Sequence, residues 1–305
     1  MKDILFLIRA SSLEALGTFA REKYETKENG GSFIRYECSP TATSIEALEG
    51  IVHQYLYGEP IGDISYLPAV EKGIEKEAEA LEELSRMLGE KIVKNTVRLS
   101  NWQLGLTGEI DAESEVLSTI FDIKNAQFPK SFRDMKKTEK YDLQLTAYVM
   151  LWNAERVKNG QEPYQNAKLA MFLLDNDIND FQRAVNELYQ NVDRFKMKNV
   201  SVFLEDVKHM AFEITNKYCY SLEKKTDCYN TLADWADSYL NLNIKPVPVF
   251  REKPMALRYN LQSVEITEIK KDRVKAIVEN CHRWLKVNRE ELYKELENKK
   301  LEDLF

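Results

Sequence analysis

The stretch LTGEIDAESEVLSTIFDIKNA, residues 106–126, decides how this chain is read. In STIFDIKNA, strand alternation turns Phe121 and Ile123 to one face and Asp122 and Lys124 to the other. A carboxylate and an ammonium two residues apart, among apolar neighbours, then share a face that should be mostly interior. Upstream, GEIDAE sets Asp111 behind the apolar Ile110. A hairpin between the two segments brings Asp111 and Asp122 side by side on paired strands. Taken by itself, D-I-K also has a plain reading, a cross-strand ion pair on a solvated face.

Working outward, KIVKNTVRL (91–99), LTGEIDAE (106–113) and LSTIFDIKNA (117–126) predict three strands in an antiparallel meander. Before them, SSLEALGTFAREKYE (11–25) reads as a helix capped by Ser11 or Ser12, with loop signals at Asn29-Gly30-Gly31 and Ser39-Pro40. A second helix spans 44–57 and ends near Gly58-Glu59-Pro60. A third spans 69–88, with Ile74, Ala78, Leu81, Leu84 and Leu88 on one face and Gly89 closing it. After the meander come a helix-rich stretch over 131–158 and a buried strand, AKLAMFLLD (167–175). Helices at 178–195, 204–222, 227–241 and 266–298 follow, the last preceded by a strand within ALRYNLQSVEI (256–266). The fold class is therefore α/β or α+β: a central mixed sheet, containing an antiparallel meander, flanked by helices. The expected division is a core from 1–195 and 246–305 with a helical insertion or appendage over 196–245.

With 44% hydrophobic and 30% charged residues, the composition is that of a folded globular chain and excludes a disordered one. No apolar run approaches the ~20 residues that cross a bilayer. Asp3 and Arg9 interrupt the opening MKDILFLIRASS, which lacks the layout of a signal peptide, so a cytoplasmic location is expected. The net charge of −7, from 50 acids and 43 bases, excludes a general nucleic-acid coating protein but not an enzyme that concentrates acids around a metal. His53, His209 and His282 are scattered, which argues against a histidine-based hydrolase or zinc site; His53 reads as an ordinary helix residue. Cys38, Cys219, Cys228 and Cys281 form no CxxC pair and read as unlinked thiols.

Two carboxylates held close repel unless they share a proton or a cation. Their hard oxygens suit Mg²⁺ or Mn²⁺, which would lower the pKa of a bound water and screen a phosphate. Lys124 stands where it could orient that water or help remove its proton, and the Ile123 carbonyl is a further ligand candidate. Glu77, at the margin of the apolar face of the third helix, could reach the sheet as a third acid; taken alone, a glutamate in such a helix is more often just a surface charge. Gln144 and Tyr148 stack one turn apart in YDLQLTAYVMLW (141–152), where an amide among apolar side chains needs a polar partner. Lys130, Arg133, Lys136 and Lys137 could follow a phosphate backbone or simply form a solvated helix face.

The order G-x-x-x-E (73–77), G-E-x-D (108–111), D-I-K (122–124) and Q-L-x-x-Y (144–148) resembles the PD-(D/E)XK nucleases of the phage lambda exonuclease and YqaJ-like recombination group. FLIRASSL (6–13), FDIKNAQFP (121–129) and REKPMALRYNLQSVEI (251–266) are similar to blocks of that family, and the likeness spans roughly 4–290, weakest over 195–245. It implies a restriction-endonuclease-like core and a Mg²⁺- or Mn²⁺-dependent deoxyribonuclease, more an exonuclease on duplex ends than a sequence-specific endonuclease. It implies metal ligation by Glu77, Asp111 and Asp122, catalysis by Lys124, and organisation of the site by Gln144 and Tyr148. Arg9, Ser11 and Ser12, at a helix N-terminus, would hold a DNA phosphate. A single-strand annealing protein is the implied partner, and a homo-oligomer the implied assembly. The chain departs from the family in having Asp rather than the commoner Glu at 122, and Asn125 where a small hydroxyl or thiol residue is frequent. Two alternatives stand beside this reading. One is a catalytically silent binding protein on the same fold. The other is an iron–sulfur RecB-like nuclease, whose cysteine order the chain shares without its spacing.

Overall fold

Two sheets and a helix between them set the architecture of the computed structural model, which describes residues 4–26, 32–58, 68–136, 141–176, 178–192 and 200–302. The chain opens with β1 (Ile8–Arg9), 3-10 turns at Ala10–Ser12 and Gly17–Ala20, and the hairpin β2 (Arg21–Thr26) and β3 (Ser32–Glu37). Then come α1 (Ala42–Tyr57), α2 (Pro68–Glu75) and α3 (Glu77–Leu88). Five strands follow: β4 (Val93–Lys94), β5 (Leu99–Asn101), β6 (Leu106–Gly108), β7 (Ala112–Ser114) and β8 (Thr119–Asn125). The remainder is α4 (Pro129–Met135), α5 (Asp142–Lys158), β9 (Asn166–Phe172), α6 (Ile178–Val192), α7 (Val200–Tyr218), α8 (Leu222–Leu240), β10 (Tyr259–Val264), α9 (Glu268–Asn288) and α10 (Glu290–Glu302).

The main sheet has the order β10-β9-β8-β7-β4. It is mixed: β8 and β9 run parallel, and the other neighbours are antiparallel. A second sheet has the order β1-β6-β5. The parallel pair needs a crossover, which α4 and α5 supply. Every residue of α5 from Leu143 to Trp152 is buried. Such a helix, apolar on all sides, must be covered all round. It packs on β5, β6, β9 and α9, between the two sheets. The opposite face of the main sheet, Phe121, Ile123, Ala170 and Phe172, packs against Ala80 and Leu84 of α3. Helices α6, α7 and α8 enclose a separate apolar cluster from Ala184 to Phe250. No described helix is long and apolar enough to cross a membrane.

Several predicted elements differ. Residues 11–25 form no helix but two 3-10 turns leading into β2. Ala10, Leu13, Leu16 and Phe19, all fully buried, recur every third residue, the period of a 3-10 turn. The meander is divided, because 91–99 and 106–113 each break into two short strands, one for each sheet. The helix predicted over 69–88 breaks at Lys76. Its buried face carries Lys72, Lys76, Ala80 and Leu84, while Ile74 is 66% exposed and Ala78 is exposed too. Lys72 can be buried because its ammonium donates to the Leu174 carbonyl (2.7 Å) and Asn176 Oδ1 (2.8 Å). The helix predicted over 266–298 divides at Arg289. Gly58 and Gly89 close α1 and α3 in the left-handed conformation, as the sequence suggests. The loop signals at 29–31 and 59–60, and Lys137, lie outside the described residues.

Candidate active site

The register of β7 on β8 pairs Ala112 with Phe121, and one step further sets Asp111 opposite Asp122. Asp111 lies in the crossing from the small sheet to the large one. There the buried Asn95 braces it: the Asn95 amide donates to the Ile110 carbonyl (3.0 Å), and its backbone N–H to the Asp111 carbonyl (3.0 Å). Asp111 Oδ2 in turn accepts the backbone N–H of Ile123 at 2.5 Å. The carboxylate therefore sits where the ladder would otherwise have offered a carbonyl.

Asp122 is only 1% exposed. Lys124 Nζ lies 2.9 Å from its Oδ1 and 2.8 Å from its Oδ2. Gln144 Nε2 donates to Asp122 Oδ1 and to the Tyr148 hydroxyl, both at 3.0 Å. Gln144 thus finds the polar partners that its apolar helix lacks. The Asp122 Oδ2 atom has the ion-pair distance to Lys124 but no well-directed hydrogen bond. Gly108, on β6, lies under the Tyr148 ring: a Cβ there would stand 2.8 Å from Tyr148 Cε1 and 3.3 Å from Ala10 Cβ.

Charge is unevenly compensated. Burial first, and then Asp122 and Glu77, push the Asp111 carboxyl up to about 7 against the pull of Lys124 and the Ile123 N–H. Burial works against the Lys124 ammonium, but Asp122 and Asp111 outweigh it and hold that group above its ordinary value. Burial and Asp122 push the Tyr148 phenol up to about 12. Glu77, at the first turn of α3, contributes to the field at Asp111 while its own Oε1 lies 3.1 Å from Lys94 Nζ. Each acid is thus met by a different donor. Among the described residues no three His, Cys, Asp or Glu side chains converge as they stand.

Tyr141 and Asn95 escaped the sequence reading. Lys124 Nζ lies 5.5 Å from the centre of the Tyr141 ring, a cation–π arrangement. Tyr141 precedes Gln144 by three residues and Tyr148 by seven, so helical spacing put all three on one face. Arg9 and Ser11 are exposed and Ser12 half-buried. Arg9 is on β1 opposite Thr107, and Ser11 and Ser12 lie in the three-residue turn Ala10–Ser12. That turn has no side-chain cap, so the two serines do not stand at the N-terminus of the predicted helix. It does pack on α5 and β6, beside Gly108. Lys130 and Arg133 are exposed on α4, directly after β8. Cys38 and Cys281 lie by one core and Cys219 and Cys228 in another, so the four thiols do not meet.

No known protein family profile matches the chain, and no curated protein does. Its fold is similar to that of a solved phage-related exonuclease from Haemophilus somnus 129PT, with a TM-score of 0.56, 17% identity, and 96% of each chain covered. A solved alkaline exonuclease from Laribacter hongkongensis also aligns, at a TM-score of 0.48 and 11% identity, over 98% of this chain and 93% of that one.

Proposed function

We propose that this chain is a divalent-metal-dependent deoxyribonuclease of the PD-(D/E)XK type, acting as an exonuclease on duplex ends. The observation that carries the reading is the pairing of half-buried Asp111 with buried Asp122, Lys124 beside them, in a fold similar to that of a phage-related exonuclease. An Asp111 carboxyl raised by burial and by its neighbour, and a buried Asp122 oxygen without a directed donor, fit a hard cation. Asp111, Asp122 and the Ile123 carbonyl would hold Mg²⁺ or Mn²⁺, with Glu77 as the third acid. To join them, Glu77 would give up a half-exposed ion pair to Lys94, worth about 1 kcal/mol or less. When bound, the ion would supply positive charge to the phosphate and acidify a water.

The chain's own residues do the rest. With an ion bound, Asp111 would give up the proton that burial and the charge of Asp122 favour. Lys124 stays protonated at neutral pH, so it enters as a hydrogen-bond donor that orients the attacking water or the phosphate oxygen. Tyr141 keeps that ammonium over the carboxylates, while Gln144 fixes Asp122 against Tyr148. The water oxygen bonds to phosphorus in line and gives up a proton to solvent, the bond to the departing sugar oxygen breaks, and that oxygen takes up a proton. A homo-oligomer and a single-strand annealing partner are part of the same proposal.

The test is purified protein with Mn²⁺ or Mg²⁺, against the same protein in EDTA, on end-labelled linear and closed circular duplex DNA. Release of mononucleotides from linear DNA alone is the expected result. Cleavage unchanged by EDTA, or in Asp122→Asn and Lys124→Ala, would refute the assignment. A silent binding protein is favoured by one observation, that every acid already has a donor within the chain. Calorimetric titration with Mn²⁺ separates the two readings, since a silent site takes up no ion.

A further inference from the structure

Three segments far apart in sequence meet beside the end of β8. The Tyr220 hydroxyl donates to the Gln127 carbonyl (3.0 Å), just before α4. The Lys253 backbone N–H donates to the Tyr220 carbonyl (2.9 Å), and Lys225 Nζ to the Arg251 carbonyl (2.7 Å). The junction brings α4, the start of α8 and the irregular stretch before β10 into one place. It also gathers cations. Arg133 and Lys136 project from α4, Lys253 from the third segment, and Arg258 lies beneath, 8% exposed. Among the described residues no carboxylate stands within ion-pair distance of Arg133, Lys136 or Lys253.

Arg258 spends one terminal nitrogen on Asp175 (3.1 Å), but its Nε is buried without a partner. Burial first, then Arg133, Lys136 and Arg258, hold the Lys253 ammonium below its ordinary value, and no anion offsets them. In a chain of net charge −7, like charges left together without an acid await an anion from outside. Only residues 125–128 separate Lys124 from α4, so the cluster follows the candidate active site closely along the chain.

We propose that Arg133, Lys136 and Lys253, backed by Arg258, form a cradle for a backbone phosphate of the nucleic-acid strand that runs past Asp122 and Lys124. The inference rests on the nuclease reading. It adds Lys253 and Arg258, to which the sequence reading gave no role, to the α4 cations. A guanidinium fork with two ammonium groups suits a phosphate oxygen cluster, with lysines as point charges and arginine as the directional donor.

Fluorescence anisotropy of a labelled duplex in EDTA, over a series of KCl concentrations, tests the cradle without any cleavage. The triple variant R133Q/K136Q/K253Q should bind more weakly, with the slope of log K against log salt reduced by about 0.9 for each phosphate no longer neutralised. Lys253→Gln alone should weaken binding several-fold at low salt and Lys253→Arg should restore it, while Lys275→Gln, on α9, serves as the control. An unchanged slope in the triple variant, beside a wild type that binds and cleaves, overturns the cradle alone. A wild type without salt-dependent affinity for DNA overturns the nuclease reading with it. Should the triple variant fail to fold, equal binding by Lys253→Gln and Lys253→Arg overturns the proposal. A duplex slope that persists while binding of a 5′-mononucleotide falls would reassign the cradle to product and likewise overturn it.

Discussion

Two buried aspartates, each paired with a cation, lie on or just beyond neighbouring strands and keep different company. Asp175, just beyond β9, meets Arg258 at 3.1 Å and accepts the backbone N–H groups of Tyr220 (2.5 Å) and Ser221 (2.9 Å). Burial alone would raise its carboxyl, yet those donors and Arg258 hold it below the ordinary value. Asp122, on β8, has Lys124 and Gln144 but faces a second carboxylate, and one oxygen lacks a directed donor. The first acid is fully satisfied by the fold and ties β9 to the α7–α8 turn. The second is left short of positive charge, with Asp111 held near 7 beside it. A fold gains nothing from such a shortfall, so the difference separates an acid that holds structure from one kept ready for a cation.

The comparison can be broken most directly at these two residues. Asp122→Asn should lower cleavage by about three orders of magnitude, roughly 4 kcal/mol of barrier, with little loss of fold; single-turnover assays against urea unfolding would measure both. Asp175→Ala should do the reverse. By leaving Arg258 buried and alone it should destabilise the protein by about 3–5 kcal/mol, while the folded fraction keeps its cleavage rate. If Asp175→Ala lost activity without stability, the contrast would collapse.

Asp111 sharpens it. Its carboxyl is raised in the folded state, so the stability it contributes is fully present below the ordinary carboxylate range, and is lost as pH rises through about 7. Without metal, the melting temperature should fall between pH 5 and pH 8. Asp111→Asn should remove that fall, raising stability at pH 8 by up to a few kcal/mol while abolishing cleavage. Mn²⁺ should raise the melting temperature of the wild type at pH 8 and leave Asp111→Asn unchanged. The smallest effect belongs to Tyr141. Tyr141→Phe keeps the ring over Lys124 and should keep kcat, whereas Tyr141→Ala should lower it about five-fold, the equivalent of ~1 kcal/mol of cation–π contact. Equal losses in both variants would move the role from the ring to the hydroxyl.

The strand of period two carrying Phe121, Asp122, Ile123 and Lys124 was legible, because alternation is a local property of the chain. The partner amide at Gln144 was legible too, since an amide among Leu143, Leu145 and Val149 announces an unmet need. The division of 91–99 and 106–113 between two sheets was not, because which sheet a short strand joins is decided by distant partners. Lys72 and Lys76 misled the helix reading for a related reason. A lysine counts as solvent-facing until the carbonyl and amide that receive it are known. At the N-terminus, a spacing of three at Ala10, Leu13, Leu16 and Phe19 served an α-helix nearly as well as the 3-10 turns that formed. Tyr141 and Asn95 act only through Lys124 and Asp111, so their parts emerge once those are placed.

Gly108 does not adopt the left-handed backbone that usually demands glycine. What closes the position to other residues is the aromatic edge of Tyr148 pressed against its α-carbon. The bare spot on β6 is the mould of a ring carried by α5. Even a single methyl there would act as a wedge, tilting Tyr148 away from Gln144 and loosening, through that amide, the hold on Asp122.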